Sequence, residues 1–448
     1  MKTKNLLIPI LLTIAFAMNM GAQPTETETP EAKAERMQWF KDAKLGIFVH
    51  WGIYAVDGID ESWSFFNGYI SYPDYMKQLN GFTAKNYDPT YWADLFKESG
   101  ARYAVLTSKH HDGVALWDTK LSDLNVVEKT PAARDLVTPF AKAMRKKGLK
   151  VGMYYSLLDW SHPDYPNFLR KEKRYSDDPE RWERFVKFNF GQLEELSKRI
   201  KPDLYWFDGD WEQSAEQWKS RELRNALIGW NSDVILNSRL QGYGDYATPE
   251  QGLPVTKPQS NYWELCMTMN DSWGFQHNDH NYKTPNQIIR IFVDCISMGG
   301  NLLLDVGPKA DGTIPHEQVN ILKELGRWTN KHQEAIYGTI AGIPHGHFYG
   351  PTALSKDKTM LYLFVDNKPN GPLVIKGLKN KVNRIWVVGN GTKLASNVMG
   401  KQYWSAVPGL LYIDVPEKVL DEQVTVIAVL LDGPVDLYRE EGQAIESN

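Results

Sequence analysis

Three carboxylates stand where chemistry can be done. Asp208 follows the apolar run Leu204-Tyr-Trp-Phe207 and precedes Gly209. A carboxylate at the end of a buried strand, beside a glycine that lets a ligand approach, suits a nucleophile or general base; the other reading is an Asp that caps the following turn. Asp210 shares a face with Asp208 only if the strand continues. Glu250 ends the loop Gly244-Asp-Tyr-Ala-Thr-Pro-Glu250, and Glu264 lies within Tyr262-Trp-Glu-Leu-Cys266. Two carboxyl groups about 5–5.5 Å apart suffice for retaining glycoside hydrolysis, one as nucleophile and one as acid/base. The acid/base must hold a proton at rest, through burial or a neighbouring charge. A loop Glu can swing toward a leaving group, whereas a mid-strand Glu more often makes structural hydrogen bonds. Glu250 is therefore preferred, with Glu264 second.

Around these stand hydrogen-bonding and aromatic groups. His50 ends the run Leu45–His50 in His50-Trp-Gly52, and His110 and His111 adjoin in Lys109-His-His-Asp-Gly113. Neutral imidazoles exchange hydrogen bonds with sugar hydroxyls. The rival reading is a metal site, but no HExxH spacing occurs, and adjacent His on a strand point to opposite faces. Arg239, at the end of Val234–Arg239, suits a substrate oxygen or the Asp208 carboxylate; a salt bridge at the rim is the structural alternative. Trp51, Trp63, Trp206 and Trp273 are candidates for stacking or for an apolar wall.

Short apolar runs position these residues. Leu45–His50, Tyr103–His111, Lys150–Ser156, Leu204–Asp208, Val234–Arg239, Tyr262–Met267 and Asn301–Val306 each fit a fully buried strand. Helix-like segments lie between many of them: 88–100 and 135–148 each run from an Asp to a Gly, and 181–200 is periodic without a Gly stop. Seven strands with polar C-terminal ends, alternating with helices, predict a (β/α)8-type barrel, whose reactive groups gather at that end. Beyond residue 340 the runs 360–366, 373–376, 382–388, 409–415 and 424–431 are strand-like, with Gly, Pro and Asn turns between them. They predict an all-β sandwich. The predicted organisation is a signal peptide at 1–22, a linker at 23–36, a catalytic barrel at 37–342 and a C-terminal β-sandwich at 343–448.

Residues 1–22 carry Lys2 and Lys4, an apolar stretch from Leu6 to Met18, and the small pair Gly21-Ala22. That is the pattern of a secretory signal peptide, and it predicts export to the periplasm or beyond the cell. The stretch is shorter than the roughly 20 residues of a membrane span, and no later segment qualifies. The 448 residues are 42% hydrophobic and 24% charged, which excludes a disordered or collagen-like chain. With 51 Lys+Arg against 55 Asp+Glu the net charge is −4, without the basic surplus of a nucleic-acid binder. Cys266 and Cys295, the only two cysteines, form neither a disulfide framework nor a zinc motif. The 16 Trp and 22 Tyr suit sugar faces as well as an aromatic core.

Taken together, the ordered motifs resemble the α-L-fucosidases of glycoside hydrolase family 29. They are Lys44–Gly52, Gly100–Gly113, Tyr154–Ser156, Trp206–Gly209, Trp263–Cys266, Ser272–Phe275 and Gly299–Pro308. The resemblance implies a retaining exo-glycosidase that needs no metal or organic cofactor and acts on terminal α-L-fucosides of oligosaccharides or glycoconjugates. Asp208 matches the nucleophile. His50, His110, His111 and Arg239 match residues that contact the sugar hydroxyls or the nucleophile. Tyr154 or Tyr155 and Trp273 match the pocket lining, with Trp63 beside them. The acid/base position varies across the family; Glu250 looks like one of its solutions, and Glu264 matches a Glu common to many members. One departure concerns the Glu-Trp pair that often follows the first strand, replaced here by Glu61-Ser-Trp63. An altered loop there bears on the choice between fucose and other galacto-configured sugars, so a related exo-glycosidase, such as a β-galactosidase, is the first alternative. A secreted carbohydrate-binding protein on an inactive hydrolase scaffold is the second.

Overall fold

The computed structural model describes residues 28–438, so the predicted signal peptide and residues 23–27 of the predicted linker lie outside the described residues. Seven parallel strands form the central sheet: β1 (Leu45–Val49), β2 (Tyr103–Lys109), β3 (Lys150–Ser156), β4 (Leu204–Asp208), β5 (Ile235–Leu236), β6 (Glu264–Met267) and β7 (Asn301–Val306). Their order is β5-β4-β3-β2-β1-β7-β6. The two edges are joined by the segment 245–251. It bridges to Asn237 after β5 on one side and to Trp263 and Cys266 along β6 on the other. Backbone bonds from Asp245 N to Leu236 O (2.6 Å), Glu264 N to Ala247 O (2.9 Å) and Gln251 N to Cys266 O (2.9 Å) hold it there. Pro249 lacks an N–H, so this eighth strand is irregular. It carries Glu250 as its last pairing residue, and it closes the barrel.

Strand alternation sorts the side chains. Leu45, Ile47 and Val49 face the surrounding helices, whereas Phe48 joins Tyr103, Val105, Tyr154, Leu204, Trp206, Cys266 and Leu303 inside the barrel. The same period puts Asp208 on the inner face, two residues beyond Trp206. Gly46 faces inward too, and the Tyr103 ring fills its place: a Cβ there would lie 2.4 Å from two ring carbons.

Several helices begin where a polar cap meets proline. Asp88 accepts from Thr90 N (2.8 Å) and Tyr91 N (3.1 Å) ahead of Pro89–Glu98. Asp135 caps Val137–Lys146, and Gly148 follows at φ 73°. The helix Pro179–Ile200 stops without glycine, Lys201 taking the left-handed conformation itself. The predicted linker needs correction: from residue 30 onward it is the start of a helix, Pro30–Ala43, capped by Thr29. This helix plugs the N-terminal mouth. Phe40 packs 4.5 Å from Tyr246, and Arg36 donates to both oxygens of Asp245 at the start of the eighth strand (2.8 and 2.9 Å).

The C-terminal module is the predicted sandwich. A five-stranded antiparallel sheet (Ile340–Ala341, Thr352–Leu354, Met360–Val365, Thr425–Leu431, Val382–Val387) faces a three-stranded one (Leu373–Ile375, Leu410–Ile413, Ser396–Met399). Along Met360–Val365, Leu361 and Leu363 point into the sandwich while Tyr362 and Phe364 join the barrel's helical layer. The module is thus packed on the barrel through one face of its larger sheet. Among the described residues no helix is long and apolar enough to cross a membrane.

Gly46→Val inserts bulk against a ring whose hydroxyl is tied to Glu264 and cannot swing aside. Overpacking of this kind costs about 1–3 kcal/mol. A lower urea midpoint than wild type is expected, and an unchanged midpoint contradicts the packing described.

Candidate active site

Asp208 ends β4 at the C-terminal mouth of the barrel, its side chain 12% exposed. Tyr154 on β3 donates to Oδ2 (2.9 Å), and Arg239 donates from Nη1 to Oδ1 (2.7 Å). Arg239 also donates from Nη2 to Glu250, whose side chain is 39% exposed. One guanidinium therefore bridges both carboxylates. It is itself seated on the Trp206 ring, 4.5 Å above the centroid. Burial works against the Arg239 charge, but Asp208 and Glu250 outweigh it and raise its pKa.

These groups open into a cavity of about 250 Å³, room for a single monosaccharide. Phe48, Tyr154, Trp206 and Trp273 supply its inner walls, and Trp63 and Trp211 stand at its rim. His50 lies 4.9 Å from Trp273, ring to ring, and bonds Asp305 on β7 through Nδ1 (2.7 Å). Burial disfavours charge on His50, yet Asp305 prevails and its pKa is raised. The other two histidines go the opposite way. Burial, reinforced by the neighbouring imidazoles, holds His110 well below the usual range and His111 down to about 3. His111 Nδ1 lies 2.7 Å from Ser156 Oγ, which donates its own proton to Leu158 O (2.5 Å). Ser156 thus accepts from Nδ1–H, leaving Nε2 as an acceptor, 3.7 Å from Asp208 Oδ2.

The predicted site residues divide. Asp208, Glu250, His50, Trp63, His110, Tyr154, Arg239 and Trp273 all line the cavity, and His111 adjoins Asp208. Tyr155 does not: alternation turns it outward, and its hydroxyl lies 2.9 Å from both Asn189 Oδ1 and Gln192 Oε1 of the helix Pro179–Ile200. Glu264 is also elsewhere, at the first residue of β6 and fully buried. It accepts from Tyr103 and from Trp206 Nε1 (3.0 Å), so it holds the ring on which Arg239 rests. Burial raises its pKa to about 7 against those two donors. The expectation that His110 and His111 point to opposite faces fails because β2 ends at Lys109. Gly113 N then bonds His110 O, and the turn brings the two rings 4.3 Å apart. Arg239 likewise sits on a loop, since β5 ends at Leu236.

Phe48 and Trp211 line the cavity without having been singled out, and Glu61, noted only for the Glu61-Ser-Trp63 departure, lines it too. Phe48 was legible, being two residues before His50 in a period-two strand. Glu61 is a buried carboxyl that accepts from Gly274 N (2.5 Å). Burial raises its pKa to about 7, Gly274 N–H and His50 working against the rise. Asp210, the near neighbour of the nucleophile candidate, turns away after left-handed Gly209 and accepts from Gln241 N (3.1 Å).

Two carboxylates bridged by one arginine, in a sugar-sized cavity at the C-terminal mouth of a parallel barrel, are the arrangement of a glycoside hydrolase. Comparison with known proteins narrows the class. The α-L-fucosidase family profile matches residues 13–334. An α-L-fucosidase of Dictyostelium discoideum is 33% identical over 67% of this chain and 71% of its own length. Isoenzyme 1 of the Paenibacillus thiaminolyticus α-L-fucosidase is 35% identical, with a TM-score of 0.82 over 89% of this chain and 99% of its own. A Bacteroides thetaiotaomicron α-L-fucosidase solved as a trapped covalent intermediate is 27% identical, with a TM-score of 0.79 over 89% of this chain and 96% of its own. The chain belongs to the α-L-fucosidase family, glycoside hydrolase family 29.

Because the folded pKa of Glu61 lies above its unfolded value, its contribution to stability is complete below about pH 4.5 and is lost as pH rises through about 7. Glu61→Gln removes that slope. Relative to wild type, the variant is expected to gain on the order of 3 kcal/mol between pH 4.5 and pH 8. Thermal melts at both pH values check this, and a difference independent of pH contradicts it.

Proposed function

We propose that this enzyme hydrolyses terminal α-L-fucosides with retention, Asp208 being the nucleophile and Glu250 the acid/base. The observation that carries the assignment is the Arg239 bridge between these two carboxylates at one cavity. Asp208 attacks the anomeric carbon, and the carbon–oxygen bond to the leaving group breaks as a covalent glycosyl-enzyme forms. Tyr154 and Arg239 hold the attacking carboxylate in place and take up its charge again when the intermediate is hydrolysed. Glu250 gives its proton to the departing oxygen and then takes one from the water that attacks the intermediate. In the free enzyme Glu250 is paired with Arg239.

His50, His110, His111 and Glu61 offer donors and acceptors to the ring hydroxyls. Phe48 and Trp273 form an apolar wall that suits a C5 methyl group over a hydroxymethyl, worth about 1–3 kcal/mol of discrimination. The charged and apolar pattern of residues 1–22 supports export, with fucosylated glycans met outside the cytoplasm.

Release of aryl α-L-fucoside, beside aryl β-D-galactoside, is the test. Asp208→Ala is expected to lose activity by at least 10³-fold. Glu250→Ala is expected to keep turnover of substrates with good leaving groups and to be accelerated by azide, which takes the vacated acid/base position. Glu264→Gln is expected to gain nothing from azide. Rescue of Glu264→Gln, or full activity in Asp208→Ala, overturns these assignments.

A further inference from the structure

The cavity at Asp208 has room for one sugar, so the rest of a glycan substrate must lie outside it. A second cleft, of about 360 Å³, opens on the same face of the barrel. One side comes from the loop that follows β3, through Asn167, Tyr175 and the adjoining Trp182. The other comes from the turn after β4, through Glu212, Gln213 and Gln217. Both segments follow the C-terminal ends of neighbouring strands, as Asp208 does.

The two spaces share a wall. Trp211 faces the Asp208 cavity, and the next residue, Glu212, faces the cleft. This wall is fixed in place. Glu212 accepts from Trp160 Nε1 (3.2 Å), Tyr165 OH (2.5 Å) and Asn167 Nδ2 (2.7 Å), and Asp210 O accepts from Trp218 Nε1 (2.9 Å). The Trp211 ring stays 49% exposed at the top of it, nearly parallel to Trp63 (15°).

We infer that this cleft is a distal leaving-group subsite that binds the neutral sugar backbone from which the fucosyl residue is cut. The inference rests on the α-L-fucoside reading above. Its chemistry fits a sugar chain: two half-buried aromatic rings stand beside the side chains of Gln213, Gln217 and Lys173. Among the described residues the Gln213 amide, the Gln217 amide nitrogen and the Lys173 ammonium make no hydrogen bond, so their donors are available to hydroxyl and acetamido oxygens. A chain leaving the cavity across the exposed face of Trp211 reaches these groups next.

The test compares kcat/KM on aryl α-L-fucoside, on a fucosyl disaccharide, and on fucosylated tetra- and hexasaccharides sharing the linkage that wild type cleaves. Wild type is expected to gain at least tenfold in kcat/KM from disaccharide to tetrasaccharide, mainly through KM. In the double variant Gln213→Ala/Lys173→Ala, the ratio of kcat/KM on tetrasaccharide to that on aryl fucoside is expected to fall at least fivefold. Equal kcat/KM for all chain lengths, with aryl fucoside still cleaved, overturns the subsite and leaves the catalytic assignment intact. A length effect that the double variant retains places the backbone elsewhere and overturns it too. Failure of wild type to cleave any of the fucosides removes both.

Discussion

Arg239 sits over the Trp206 ring and extends one nitrogen to Asp208 and the other to Glu250. A planar fork can do this, and a point charge on a lysine cannot. The rest of the barrel can be followed outward from that contact. Trp206 is steady because Glu264 accepts its indole proton, and Glu264 is steady because Tyr103 donates to its other oxygen. Tyr103 in turn occupies the space left by Gly46. Tyr154 stacks on Trp206 at 17° and reaches Asp208 from the opposite side to Arg239. A chain of buried polar contacts thus runs from the plugged N-terminal mouth to the open one, crossing the barrel interior between inward residues of β2, β6 and β4.

The three histidines extend this order into the choice of charge. His50 carries a partner carboxylate, Asp305, and its cation is favoured in spite of burial. His110 and His111 have hydroxyl partners, Ser62 and Ser156, and burial keeps them neutral. The cavity therefore presents one imidazole that favours its cation and two that are held neutral. Polar groups so held need little rearrangement when a sugar arrives, and this preorganisation is what gives electrostatic stabilisation its weight in a water-poor site.

Much of this was legible in the sequence, because a short apolar run that ends in polar residues is a local signal. Such runs located β1 to β4 and β7 and set Asp208 and His50 at strand ends. What escaped depends on contacts distant in sequence. The eighth strand is stitched by scattered bridges around Pro249, so no apolar run announces it. The contact that ties Glu61 to the site is equally distant, its oxygen accepting from Gly274, more than two hundred residues later. Tyr155 and Glu264 illustrate the converse. Both sit in motifs that carry site residues, yet alternation turns one to a helix, and position along β6 sets the other at the far end of the barrel. The adjacent His110 and His111 were misplaced by assuming that the strand continued, whereas a turn at Gly113 had already begun.

The distribution of burial also decides which contact yields to substrate. Asp208 with Tyr154, and His50 with Asp305, are enclosed, and parting either pair leaves a buried group unsatisfied, at a cost of about 1–3 kcal/mol. The Arg239–Glu250 contact differs, because Glu250 is well exposed to solvent, and exposed ion pairs contribute only about 0–1 kcal/mol. A sugar entering from the mouth meets that weak pair first. Asp208 is thus the more firmly held of the two carboxylates, and Glu250 the more easily released. The barrel's closing strand is where such freedom is tolerated: it is irregular at Pro249, and Glu250 follows immediately on the open side of that irregularity. Firm packing at the end of β4 and an exposed ion pair on the closing strand are thus two consequences of one arrangement of burial.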